Sequence, residues 1–194
     1  MKAGSISLIL ALVGVVSAMT PPGLIPSNTE NMTVFFNTSS LATNGIAIAQ
    51  SGAKSTPTLA LDKSLTGTTF MVLMVDPDAG NVGGNGSSAF LHWMQDGFTS
   101  SSKSVTVGNK TVFALENTAN VVPIAAYLPP GPPTGQTHRY TQYLVDTTGV
   151  KGFTVSSSVA NSTMTRVAFN MQDFVKQANL TIISANFWKT TGGT

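Results

Sequence analysis

Phe70-Met71-Val72-Leu73-Met74-Val75-Asp76-Pro77-Asp78-Ala79-Gly80 is the stretch on which the fold turns. Its first six residues form an unbroken apolar run, the composition of a strand covered on both faces rather than one with a wet side. Pro77 cannot donate to a central ladder, so the strand must end where the carboxylates Asp76 and Asp78 begin. The two acids therefore sit at a strand mouth. Read alone, Asp-Pro-Asp is also an ordinary turn in which Asp side chains accept from nearby amides.

Working outward, further β-type segments run Met32 to Phe36, Thr58 to Leu61, Phe90 to Met94, Thr111 to Leu115, Tyr140 to Val145 and Ile182 to Trp188. They are separated by loops rich in Gly, Ser, Asn and Pro. One helix is expected, because Met171, Phe174, Val175 and Ala178 recur at helical spacing, with Gln172, Asp173 and Lys176 on the opposite face. Its expected role is to cover the sheet. The fold class is mainly β.

Two segments carry imidazoles. In Phe90-Leu91-His92-Trp93-Met94, alternation places Phe90, His92 and Met94 on one face and Leu91 and Trp93 on the other. A lone histidine there is also compatible with a satisfied core residue. In Leu128-Pro129-Pro130-Gly131-Pro132-Pro133-Thr134-Gly135-Gln136-Thr137-His138-Arg139-Tyr140, four prolines in five positions make a stiff loop before the chain re-enters a strand at His138. A linker or polyproline docking segment has similar composition, but strand-like sequence flanks this one closely. His92 and His138 are the only histidines. A carboxylate beside two imidazoles stabilises imidazolium and biases both toward protonation, giving a site suited to phosphate, phosphomonoester, sulfate or carboxylate.

The first residues read as a signal peptide: Lys2, an apolar run from Ile6 to Val16, then Ser17 and Ala18. The run is about 11 residues, shorter than the roughly 20 that span a bilayer. The expected organisation is a signal peptide over 1–18 and one domain over 19–194, exported to the extracellular space or a secretory compartment such as the vacuole. Asn-x-Ser/Thr acceptors at Asn31, Asn37, Asn85, Asn109, Asn161 and Asn179 agree with that route. Only 9% of residues are charged and the net charge is +2, so no basic patch for nucleic acid is expected. The chain has no cysteine and must rely on its core instead of disulfides.

Taken in order, Asp76-Pro77-Asp78-Ala79, Leu91-His92-Trp93 and Gly131-Pro132-Pro133 leading to His138-Arg139-Tyr140 resemble the phosphatidylethanolamine-binding protein family. The resemblance covers residues 57–146, and more loosely the helix from Met171 with Ala185-Asn186-Phe187. It implies a large antiparallel sheet packed on a smaller one with peripheral helices. It also implies a small anion pocket lined by Asp76, Ala79, His92, Gly131, Pro132, His138 and Tyr140. The partners implied are a phosphate-bearing small molecule or phospholipid headgroup, and a protease such as a serine carboxypeptidase. Two departures stand out: Gly80 replaces a usual proline, and the Asn81 to Ser88 loop is glycine-rich and lacks the arginine common there, which predicts a looser rim. The loop before His138 is about one residue short. A surface glycoprotein with a vestigial pocket is the alternative.

Catalysis is the less favoured reading. Two histidines and an aspartate could form a metal triad, but no His-Glu-x-x-His, Gly-x-Ser-x-Gly or P-loop occurs, and no cofactor is implied. Gly84-Asn85-Gly86-Ser87-Ser88-Ala89 has the letters of a dinucleotide fingerprint without its strand-turn-helix setting.

Overall fold

The computed structural model describes residues 18–37, 40–80, 89–150 and 166–194. The expected signal peptide, except Ala18, therefore lies outside the described residues, as do Asn85, Asn161 and the rim loop from Asn81 to Ser88. Eight strands follow in chain order: β1 (Thr33–Phe36), β2 (Ser40–Leu41), β3 (Thr58–Leu61), β4 (Thr69–Asp76), β5 (Phe90–Val107), β6 (Lys110–Glu116), β7 (Thr137–Asp146) and β8 (Thr181–Thr191). A single α-helix among the described residues, α1 (Met171–Gln177), precedes β8, and a short 3-10 helix spans Gln50–Ala53. The fold is mainly β, and all seven strand-like segments of the sequence are strands. No described helix is long and apolar enough to cross a membrane.

The strands hydrogen-bond in the order β2-β1-β3-β6-β5-β4-β7-β8, and their pairings are antiparallel. The sheet curls until its ends approach. The outer edge of β8 meets the segments flanking β1, through bridges Asn31 to Ala185 and Ala47 to Lys189. Gly45 N–H donates to the Phe187 carbonyl and Ile48 N–H to that of Lys189, both at 2.8 Å. Pairing the edge in this way leaves no long open ladder on β8.

β4 is the central element, as its composition requires. Phe70, Val72 and Met74 enter one core with Val34, Phe36, Trp93, Tyr140 and Trp188. Met71, Leu73 and Val75 enter a second on the opposite face with Leu91, Met94 and Tyr143. Met171 and Phe174 of α1 close this second core, the covering role that the helical spacing implies. Asn170 caps the helix by accepting from the Asp173 amide. Asn179 ends it at φ 52°, with Leu180 N–H donating to the Val175 carbonyl and Asn179 N–H to that of Lys176.

β5 departs from regular alternation. Opposite it, Met74 pairs with Trp93 and Val75 with Leu91, so His92 has no residue directly across from it. This is a β-bulge, and the extra residue turns the side chains beyond it over by one face. Leu91 and Trp93, expected on the same face, accordingly enter opposite cores. A second shift falls between the Phe70–Phe98 and Val72–Gln95 pairs, where Gly97 takes φ 84°.

Candidate functional site

The strand mouth contains a cavity of about 420 Å³. Asp76 ends β4, Phe90 and His92 begin β5, and His138 and Tyr140 begin β7, so three adjacent strands bring their residues to one end of the sheet. Leu128, Pro129, Gly131 and Pro133 form the facing wall, and Ala79 and Gly80 complete the rim. Six of the seven residues that the sequence nominates line this cavity. The seventh, Pro132, does not: it is buried, and its carbonyl lies where a Cβ on Gly192 would come within 2.2 Å. Successive residues of an extended loop point in different directions, so Gly131 and Pro133 face the cavity while Pro132 packs on the chain behind it.

Asp76 is 2% exposed and fully engaged. Its Oδ1 accepts from the Asp78 amide at 2.8 Å and the Ala79 amide at 3.0 Å, so the Asp-Pro-Asp turn and the site are one structure. Oδ2 accepts from His138 Nδ1–H at 2.8 Å. Asp78 points the other way and takes the Arg139 guanidinium at 2.9 Å and 3.2 Å and the Arg139 amide at 2.8 Å. Burial pushes the Asp78 carboxyl up, but the hydrogen bonds and charge of Arg139 outweigh it and hold the group below its ordinary value. This pair ties the β4 turn to β7 and keeps Asp76 facing His138.

His92 is anchored by the backbone of Leu128. The Leu128 amide donates to the His92 carbonyl at 2.8 Å, and His92 Nδ1–H donates to the Leu128 carbonyl at 2.8 Å. A carbonyl only accepts, so Nδ1 carries the proton and Nε2 faces the cavity, 3.9 Å from Asp76 Oδ2. The sequence argument expects protonation of both histidines, but His92 goes the opposite way. Burial holds its pKa below the ordinary histidine value, against the Leu128 hydrogen bond and the Asp76 charge, which raise it. The positive charges of Arg166 and His138 add to the effect of burial.

Tyr140 packs edge-on to His92 at 5.1 Å and stacks on Trp188 at 6.0 Å. Its buried hydroxyl has no well-aligned hydrogen-bond partner among the described residues, although Asp76 and the Gly131 backbone lie close enough to act on it. Burial first, then the Asp76 charge, push its pKa far above the ordinary tyrosine value, so it remains a neutral donor. Gly80 takes φ 103°, a conformation that favours glycine and is closed to proline.

Sequence reasoning missed Arg166. Its guanidinium donates to the carbonyls of Leu91 at 3.2 Å, His92 at 3.1 Å and Ala126 at 2.8 Å, clamping the bulge. Arg166 itself has φ 57°, and nothing in its local sequence marks it. Among the described residues no group of three His, Cys, Asp or Glu side chains is placed to hold a metal ion. Asp76 and His138 instead use their facing atoms on each other. Of the acceptor asparagines, Asn37, Asn109 and Asn179 are exposed and Asn31 is half-buried.

A curled antiparallel sheet with a cavity at its mouth defines the class. Residues 31–188 match the phosphatidylethanolamine-binding protein family, and the chain belongs to that family. It is 29% identical to phomoidride biosynthesis cluster protein N of Talaromyces stipitatus, over 95% of this chain and 96% of that one. Its fold is similar to that of a phosphatidylethanolamine-binding protein from Plasmodium vivax, with a TM-score of 0.65 at 17% identity over 88% of this chain and 92% of that one. It is also similar to a carboxypeptidase Y inhibitor complexed with its cognate proteinase, with a TM-score of 0.64 at 18% identity over 86% and 85% of the two chains.

Proposed function

We propose that this chain is a secreted binding protein whose cavity takes the acid group of a small molecule, the phosphate of a phospholipid headgroup being the form that its family suggests. One observation carries the reading. The His138–Asp76 pair, His92 Nε2 and the Tyr140 hydroxyl converge on a cavity whose other described walls are apolar side chains, prolines and glycines. A few convergent polar groups within apolar walls are what a small-molecule site requires, and about 420 Å³ falls in the range of such sites. Asp76, Ala79, His92, Gly131, His138 and Tyr140 are the proposed ligand-binding residues. The experiment is calorimetry with phosphoethanolamine and inorganic phosphate. Binding by the wild type that is lost in His138→Ala is expected; no binding of either compound by the wild type overturns the reading.

The chain binds rather than catalyses, because among the described residues no Ser, Thr, Cys or Lys nucleophile accompanies the imidazoles that line the cavity. Turnover of an ester, phosphoester or peptide that disappears in His92→Ala or His138→Ala overturns this. A second reading, inhibition of a serine carboxypeptidase through surface contacts, draws support from the fold shared with the carboxypeptidase Y inhibitor and from the stiff proline loop, which exposes Pro129, Gly131 and Pro133. Stoichiometric inhibition without turnover supports it. Secretion is supported by the leader pattern and the exposed acceptor asparagines. Intact mass of the native protein before and after glycosidase tests it, and an uncleaved, unglycosylated chain counts against it.

A further inference from the structure

The hydrogen-bonding capacity of the cavity does not match a fully ionised acid. His92 Nδ1–H and His138 Nδ1–H are both committed to partners that only accept, the Leu128 carbonyl and the Asp76 carboxylate. With a neutral ring, His92 Nε2 therefore presents a lone pair to the cavity. It stands 3.9 Å from Asp76 Oδ2, another acceptor, so neither satisfies the other. His138 Nε2 faces Gln136 Oε1 at 3.5 Å instead of lying open. Among the described side chains, an anion with only lone pairs to offer meets the Tyr140 hydroxyl, on which Asp76 also draws, and a lone pair at His92.

We infer that an acid group enters this cavity together with one proton, which is held between His92 Nε2 and the bound oxygen. A phosphomonoester in its monoanionic form brings that proton itself. A phosphodiester or carboxylate draws it from solvent onto His92. The inference rests on the acid-binding reading above and deepens it by naming the protonation state in which the ligand is held.

The groups facing His92 explain why the proton arrives with the ligand. Among the described residues that line the cavity, Asp76 of β4 is the one negative charge, His138 and Tyr140 of β7 are the other titratable groups facing His92, and the remaining wall is non-ionising. Arg166 clamps the His92 carbonyl from behind and adds positive charge. Burial disfavours imidazolium in the empty cavity, and Asp76 is occupied by His138. A bound anion supplies the missing counter-charge and an acceptor for Nε2–H together. The atom balance is simple: Nε2 gains one proton from water or from the ligand P–OH, and no bond other than that to hydrogen is made or broken.

The test is calorimetry on the full chain with dimethyl phosphate, which has no second proton to give, beside methyl phosphate. Each is titrated at about pH 6 and about pH 8, in two buffers of different ionisation enthalpy. Dimethyl phosphate is expected to bind with uptake of up to about one proton, its affinity falling by up to about tenfold per pH unit above the histidine range. His92→Gln replaces Nε2 with an amide that donates without titrating, so its affinity for dimethyl phosphate should be the same at both pH values. A wild type that binds equally at both, with no proton uptake, overturns the inference and leaves the acid-binding reading standing. A variant that keeps the wild-type pH slope places the proton elsewhere and also overturns it. Should the variant fail to fold, ¹⁵N spectra of the wild-type imidazoles decide. His92 Nε2 is expected to change from acceptor to protonated nitrogen on adding dimethyl phosphate, and an unchanged signal overturns the inference. No binding of either phosphate at either pH brings down both readings.

Discussion

β4 and β5 lie side by side, yet they deliver their site residues by different means. β4 alternates without interruption: Phe70, Val72 and Met74 face one core, Met71, Leu73 and Val75 the other, and Asp76 arrives at the cavity in step with them. β5 brings Phe90 and His92 to the cavity by the same alternation, but its ladder is broken at His92, which turns Trp93 to the side that His92 faces. A regular ladder follows from composition alone, since period two is fixed by strand geometry. A bulge is set by what holds the strand from outside, here the Leu128 backbone and the Arg166 guanidinium. The central strand therefore fixes the carboxylate, and the bulged strand sets the hydrogen-bonding state of the imidazole.

The severest way to break this contrast is Trp93→Ala. Trp93 is 1% exposed and packs edge-on against Phe98 and Tyr127 at 5.8 and 6.1 Å, in a core that it reaches only through the bulge. The expected loss is about 4 kcal/mol by denaturant unfolding. A loss of a few tenths of that size would place Trp93 outside the core. Asp76→Ala comes next, with a loss of about 3 kcal/mol. It removes the acceptor of two amides and of His138 together, and phosphate binding should disappear with it. Binding retained at wild-type affinity would separate Asp76 from the site.

Gly97→Ala sharpens the second irregularity of β5. Its φ of 84° is strained for alanine, and the new Cβ would come 2.3 Å from Val121 Cγ2, so a loss of about 2 kcal/mol is expected, with the site unchanged. Arg166→Gln acts on the bulge at His92 and should lower stability by about 1 kcal/mol. Removing its positive charge should also raise the His92 pKa, read by NMR titration. An unchanged His92 titration would show that Arg166 does not act on the imidazole.

The smallest effect is on pH dependence. Burial lowers the His92 pKa in the folded chain, so the unfolded chain binds the proton more readily. The His92 contribution to stability is thus present above the unfolded value of about 6.5 and is lost as pH falls through the lower folded value. His92→Gln should flatten that part of the acid limb of the stability curve. Equal slopes in variant and wild type would mean that His92 titrates alike folded and unfolded.

Much of this molecule is legible in its residues. The continuous run Phe70 to Val75 required a strand with two covered faces, Pro77 required its end, and the spacing of Met171, Phe174 and Val175 required one amphipathic helix. Asp76, His92 and His138 were identifiable as a group through motif resemblance, and the structure brings all three to one cavity. Pro132 was misplaced because rigidity can be read from prolines, whereas the direction each one faces depends on what packs behind it, here Gly192.

The sequence by itself determined the elements and the residue types at the strand mouth, because strand and helix periods, proline's missing donor and the aspartate turn are properties of a few consecutive residues. Only the tertiary structure decided the faces of β5, the role of Arg166 and the state of His92. Each depends on groups remote in the chain: Arg166 reaches Leu91 across 75 positions, and His138 meets Asp76 across 62. Desolvation and hydrogen-bond competition are settled by such neighbours. A histidine beside an aspartate reads as cationic until the structure shows how deeply it is buried.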